Sequence, residues 1–191
     1  MSHLTKQFHH RPYISERSLE CVHQGKVRDT FALPQHPNLL IVVTTDRIST
    51  HNIVHKSTIC EKGYSLNQIV VFWMTQGLKD IPNHLVAFGN RIYNYFPSGR
   101  YPVDLRDRAV VVRKLDMLPV EFIFRSRMAG SLWKNFYSKR TPNPYGLDLP
   151  ENLKPMSPFE ETIFTPTDKS ETDEPLKAEE TLSRYGPAYR L

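Results

Sequence analysis

Three short segments set cations beside glycine or hydroxyl groups, a combination suited to holding phosphate. Gly25-Lys26-Val27-Arg28-Asp29 joins a glycine to two cations spaced two apart. On an extended strand that spacing puts Lys26 and Arg28 on one face, where they could grip a polyphosphate. An edge strand whose charges discourage aggregation is the other reading. Arg125-Ser126-Arg127-Met128-Ala129-Gly130-Ser131 sets two arginines, a glycine and a hydroxyl ahead of the amphipathic stretch 132–137. Unpaired N–H groups at a helix start favour an anion, and guanidinium matches phosphate bidentately. The same residues also fit a helix capped by Ser131 with surface arginines nearby. Thr44-Thr45-Asp46-Arg47-Ile48-Ser49 follows an apolar run, so its polar groups emerge where a strand leaves the core. Such a place suits ligand contact or a structural Asp-Arg pair.

These residues need elements to position them. Residues 22–31 read as a short extended segment bent at Gly25, and 39–43 as a continuous apolar strand of the same sheet. Leu66, Ile69, Val70, Trp73 and Met74 recur at helical spacing, with Ser65 before them as N-cap. Residues 109–113 and 120–125 are β-rich runs separated by the connector 114–119, and a helix follows Gly130-Ser131. From 141 to 175 the chain carries Pro142, Pro144, Pro150, Pro155, Pro158, Pro166 and Pro175, which argues against long regular elements and for a long loop, functional or disordered. Strand pairs with few intervening helices favour an α+β fold over a doubly wound parallel sheet.

The bulk properties narrow the function. A chain of 191 residues, 39% hydrophobic and 24% charged, can build one compact domain, or one domain with a smaller lobe. No apolar run approaches the roughly 20 residues of a membrane helix, and the start lacks a signal peptide's apolar region, so a cytoplasmic location is expected. Cys21 and Cys60 have no metal-ligand spacing and are expected to be reduced. Residues 159–180 hold eight acidic and two basic residues, which leaves 23 basic against 12 acidic elsewhere and suits an anionic ligand. With no helix-turn-helix, RNP-type signature or lysine run, nucleotides fit that surplus better than nucleic acid does.

Taken in order, GKVRD, TTDRIS, NHL at 83–85, VEFIFRSRMAGSLWK and IFTPTDK resemble segments of the phosphoribosylaminoimidazole-succinocarboxamide synthase family, over roughly 25–180. The resemblance implies a SAICAR synthetase-like α+β fold: an extension (1–21), an N-terminal antiparallel sheet lobe (22–118) and part of an ATP-grasp-like second region (119–191), with nucleotide between the lobes. Carried over by position, Gly25, Lys26 and Arg28 would meet ATP phosphates, and the linker from Lys114 to Leu118 the adenine. Arg125 and Ser131 would hold the phosphate of the imidazole ribonucleotide. Lys169 and Asp173 would serve as catalytic residues near the aspartate and the reaction centre.

The implied reaction is ATP-dependent ligation of L-aspartate to carboxyaminoimidazole ribonucleotide (CAIR), giving SAICAR, ADP and phosphate in de novo purine biosynthesis, with Mg2+ assisting. Its partners are small molecules, without nucleic acid or membrane; a homo-oligomer or a complementing C-terminal polypeptide are the protein partners to expect. Some positions depart from the family pattern: Asn52 stands where the family has aspartate, Cys60-Glu61-Lys62-Gly63 replaces a proline-containing turn, and the passage near Asp173 is shortened. The chain also reads as a short form ending before the region that supplies relatives with magnesium carboxylates and a further arginine. That leaves the metal ligands unknown, with a catalytically impaired nucleotide-binding paralogue or fragment as the alternative.

Overall fold

The computed structural model describes Ile14 and residues 19–50, 53–170 and 172–185. The chain divides into two compact units, the first reaching Leu115 and the second starting at Asp116. The first unit carries β1 (Cys21–Gln24), β2 (Arg28–Ala32), β3 (Leu39–Thr44), β4 (Arg47–Thr50), β5 (Ile53–Thr58), α1 (Lys62–Phe72), β6 (Leu85–Phe88), the single turn α2 (Leu105–Arg108) and β7 (Ala109–Arg113). The second carries β8 (Val120–Glu121), β9 (Phe124–Arg127), β10 (Pro158–Phe164), β11 (Thr167–Asp168) and α3 (Ala178–Tyr185).

Five strands of the first unit form one sheet in the order β1-β2-β3-β7-β6, antiparallel at every pairing. The β-branched runs at 39–44 and 109–113 take its interior, as their apolar sequence requires. Register aligns Phe31 with Ile41 and Ile41 with Val111, all fully buried, so one face of the sheet builds the core with Leu33, Val43, Ile92 and Leu105. The neighbouring row is Asp29, Val43 and Ala109, which places a carboxylate on the core face. A charge there must be paired, and that requirement ties β2 to the start of β4. The segment 22–31 is not one bent strand: β1 and β2 pair as a hairpin and Lys26 lies in the turn. Strand alternation therefore does not put Lys26 and Arg28 on one face, and β2 is an interior strand rather than an edge.

Helix α1 starts three residues before the expected cap at Ser65, whose N–H already bonds to the carbonyl of Glu61 at 2.9 Å. Glu61 is left-handed (φ 59°), and the Asp46 carboxylate does the work of a cap by accepting the Gly63 N–H at 2.8 Å. A methyl group on Gly63 would stand 2.4 Å from the Thr44 carbonyl oxygen, so the helix start packs backbone to backbone. The apolar residues of the helical period are only partly covered: Leu66, Val70 and Met74 are partly buried, Ile69 and Trp73 are about half exposed, and the buried helix residues are Gly63 and Asn67. Asn67 reaches the carbonyls of Asp107 and Ala109, at 3.1 and 3.5 Å. Small and amide side chains let the helix approach other backbone, while Leu66 and Val70 are only partly covered and Tyr64, Ile69 and Phe72 are exposed.

In the second unit the run 120–125 splits because β8 pairs with β11 while β9 pairs with β10, each antiparallel. The proline-rich segment contains one seven-residue strand, β10, longer than expected there. It is compatible with proline because Pro158 takes the first position of a two-stranded ladder. Met128, Leu132 and Tyr145 form the unit's core, with Trp133, Phe136 and Ile163 packed around them.

Candidate functional site

The glycine turn of the first unit is held from behind. The Gly25 N–H donates to the Arg28 carbonyl at 2.7 Å and closes the turn. Arg47 then donates to the carbonyls of Gly25 (3.0 Å) and Lys26 (3.4 Å), and Thr45 gives both its N–H (3.0 Å) and its hydroxyl (2.9 Å) to Val27. Three successive carbonyls of the turn are thereby engaged by the TTDRIS segment. Arg47 is itself fixed by a bidentate pair with Asp29, the two side chains being 5% and 0% exposed. So Asp46 and Arg47, adjacent in the sequence, each pair outside their own segment: Arg47 pairs with Asp29, while Asp46 pairs with Arg108 at 2.6 Å. Lys26 and Arg28 are the exposed cations of this turn.

Burial alone would raise the pKa of Asp46, but the hydrogen bond and charge of Arg108 and the N–H groups of Gly63 and Glu61 outweigh it and hold the carboxyl below its usual value. Lys62, at the start of α1, is shifted down by burial and by the charges of Arg28 and Arg47, against the attraction of Asp46. It is a further cation near the turn that residue spacing along the sequence did not bring forward. His51 and Asn52 lie outside the described residues. Lys114 continues from β7, its N–H bonded to the Asn38 carbonyl at 2.8 Å, and the irregular stretch to Leu118 spans the division between the units.

In the second unit the structure brings Arg125 and Ser131 together. The Arg125 Nη2 donates to the Ser131 hydroxyl at 3.0 Å, Nη1 to the Ala129 carbonyl at 3.2 Å, and Nε to the Thr165 hydroxyl at 2.9 Å. Gly130 between them is left-handed (φ 64°), and a Cβ there would stand 3.0 Å from Nη1, so both conformation and space call for glycine. Ser131 has helical backbone angles and makes no capping hydrogen bond. The chain continues from Ser131 as one π-turn (Leu132–Phe136) and a 3-10 turn (Tyr137–Lys139), too short for a strong dipole. The guanidinium, rather than a helix terminus, is therefore the main attraction for an anion. Tyr145 is buried against this group; burial pushes its hydroxyl pKa up, while Arg125 and Ser131 pull it the other way.

Ser131 and Asp173 line one cavity of about 450 Å³ within this unit, together with Asn135, Tyr145, Thr167 and Glu174. Asp173 is left-handed (φ 51°) in a loop organised by Asp168, whose Oδ1 accepts the Ser170 hydroxyl (2.6 Å) and the N–H groups of Ser170 (3.1 Å) and Glu174 (2.9 Å). Those bonds, the Ser170 hydroxyl foremost, hold the Asp168 carboxyl below its usual pKa. Lys169 lies on the exposed side of the loop and pairs with Glu121 at 3.0 Å. Thr165, Tyr145 and Asp168 were not singled out from sequence, because hydroxyls and one more acidic residue in a proline-rich acidic segment carry no distinctive spacing.

Comparison with known proteins fits this arrangement. The family model described as SAICAR synthetase matches residues 21–189. The phosphoribosylaminoimidazole-succinocarboxamide synthase of Maridesulfovibrio salexigens is 37% identical over 175 residues, 89% of this chain and 56% of the relative. The Saccharomyces cerevisiae enzyme of that name is 37% identical over 82% of this chain and 52% of its own length. The chain thus spans about half the length of the curated relatives it matches. A solved SAICAR synthase from Saccharomyces cerevisiae, in complex with SAICAR, superposes with a TM-score of 0.73 at 33% identity, over 86% of this chain and 55% of that one. An α+β fold of antiparallel sheets, the ordered motifs that build its two cationic clusters, and a family match over nearly the whole chain lead to one conclusion: the chain belongs to the SAICAR synthetase family.

Proposed function

We propose that this chain takes part in the ATP-dependent ligation of L-aspartate to CAIR, giving SAICAR, ADP and phosphate, as a step of purine biosynthesis in the cytoplasm. The observation that carries the reading is the Arg125 cluster, a guanidinium fixed beside a hydroxyl and a left-handed glycine, which is a preorganised seat for the ribonucleotide phosphate. The γ-phosphoryl group of ATP passes to the CAIR carboxylate, forming an acyl phosphate and releasing ADP. The aspartate amine then attacks the acyl carbon, forming the amide bond, losing a proton and expelling phosphate. Lys26 and Arg28, carried by the turn at Gly25, take the ATP phosphates; the stretch from Lys114 to Leu118 meets the adenine. Lys169 and Asp173 act at the reaction centre, and fixed cations stabilise the charge that develops on the transferring group.

Among the described residues there is no group of three or more His, Cys, Asp or Glu that could hold a metal ion; the Mg2+ that the resemblance implies would be carried by the ATP phosphates with one or two carboxylates beside them. No helix among the described residues is long and apolar enough to cross a membrane.

The test is calorimetric titration of the purified chain with CAIR and with ATP, followed by ADP release with all substrates. CAIR is expected to bind, and Arg125→Ala to weaken it by about 2 kcal/mol, roughly 30-fold, with ATP affinity nearly unchanged. Equal loss for both ligands would remove Arg125 from the ribonucleotide site. Sustained ADP release is expected to require both CAIR and aspartate, because without the amine the site stalls at the acyl phosphate after one turnover; continuous release indifferent to aspartate would contradict the ligase reading.

A further inference from the structure

Arg125 is set by a residue forty positions away. Thr165 is fully buried just beyond the end of β10, and register brings the strand to it, pairing Ile163 with Arg125 and Phe164 with Phe124. Its hydroxyl accepts the Arg125 Nε–H at 2.9 Å and donates to the Ile123 carbonyl at 3.2 Å. Both roles of one hydroxyl are thus used, and its proton points away from the guanidinium, so its lone pairs receive the Nε–H. The Ile123 carbonyl also accepts the Thr165 N–H at 2.9 Å, so it stays bonded if the hydroxyl is lost. Arg125 is then the group left without its partner. The Nε bond matters more for orientation than the bonds at the terminal nitrogens, because Nε lies nearest the stem and fixes the plane of the fork.

We propose that Thr165 is a positioning residue for phosphate binding, holding the Arg125 guanidinium by Nε so that its terminal nitrogens are presented with Ser131 to the phosphate of the substrate ribonucleotide. This rests on the assignment of Arg125 to that phosphate. The binding energy of a bidentate pair depends on the fork already being in place, and an arginine free to rotate must be ordered when the ligand arrives. The side chain of Thr165 need touch no ligand to do this.

The experiment uses the full chain and titrates CAIR, its dephosphorylated nucleoside and ATP into the parent protein, Thr165→Ser, Thr165→Val, Arg125→Ala and the Thr165→Val/Arg125→Ala double variant. Thr165→Val is expected to weaken CAIR by about tenfold, while Thr165→Ser, which keeps the hydroxyl, stays within about twofold of the parent. Nucleoside and ATP affinities are expected to stay unchanged in both. In the Arg125→Ala background the valine substitution is expected to have no further effect on CAIR. Thr165→Ala removes the same hydroxyl and supplies the comparison if the valine variant does not fold. Loss of nucleoside affinity equal to the loss of CAIR affinity, or a valine effect that persists without Arg125, would overturn the inference and leave Thr165 a structural residue. CAIR affinity indifferent to Arg125→Ala would instead overturn the functional reading itself, and the inference with it.

Discussion

Replacing Lys26 and Arg28 together with alanine is expected to abolish measurable ATP binding while leaving the first unit folded. Both side chains are exposed, and the backbone of their turn is held by other residues: Arg47 and Thr45 engage the carbonyls of Gly25, Lys26 and Val27. Exposed substitutions away from such anchoring change stability by only about 0.5 kcal/mol, so the melting temperature is expected to move by little. Two charge-assisted contacts to phosphate are worth on the order of 4 kcal/mol together, roughly a thousandfold in affinity. Calorimetry with ATP and thermal unfolding of the same samples check both halves of the expectation. ATP affinity equal to that of the parent protein would show that these cations are surface charges without a nucleotide role.

Why that turn is stable was only partly legible in the sequence. The β-branched runs at 39–43 and 109–113 announced two strands, and they are the interior of the sheet because few other residues pack as well there. The hairpin at Gly25 was read as one bent strand because the turn consists of Lys26 and Val27, neither a strong turn former; its geometry comes from Arg47, more than twenty positions away in the chain. Helix α1 was visible by its period, but the period does not tell which of its apolar residues are covered: Leu66 and Val70 are partly buried, whereas Ile69 is half exposed. Tertiary contact at Gly63 and Asn67, a residue without a side chain and an amide, decided which side meets the sheet. In the second unit Arg125 and Ser131 stood in one candidate phosphate segment, but the anchor Thr165 follows a strand across a ladder, and no local pattern signals it.

The largest effect on the fold is expected from Arg47→Ala. Asp29 occupies a core-facing position beside Val43 and Ala109, and the structure tolerates a carboxylate there because Arg47 meets both its oxygens. Arg47→Ala takes the bidentate guanidinium from a buried carboxylate, and breaking such a buried pair costs about 3–5 kcal/mol. Since a domain has only about 5–15 kcal/mol in total, the first unit of Arg47→Ala is expected to unfold at much lower denaturant, as followed by circular dichroism. A shift of under about 1 kcal/mol would mean that the pair is not a buried hub of the first unit. The variant Asp29→Leu/Arg47→Met separates stability from function, because an apolar pair of similar volume can replace a buried ion pair with little or no loss of stability. That double variant still lacks the donors to the carbonyls of Gly25 and Lys26. It is expected to recover most of the stability lost in Arg47→Ala and yet bind ATP at least about tenfold more weakly than the parent protein, because the turn carrying Lys26 and Arg28 is no longer preorganised. Full recovery of both stability and ATP affinity would place the function of Arg47 in the core alone and leave the turn to Thr45.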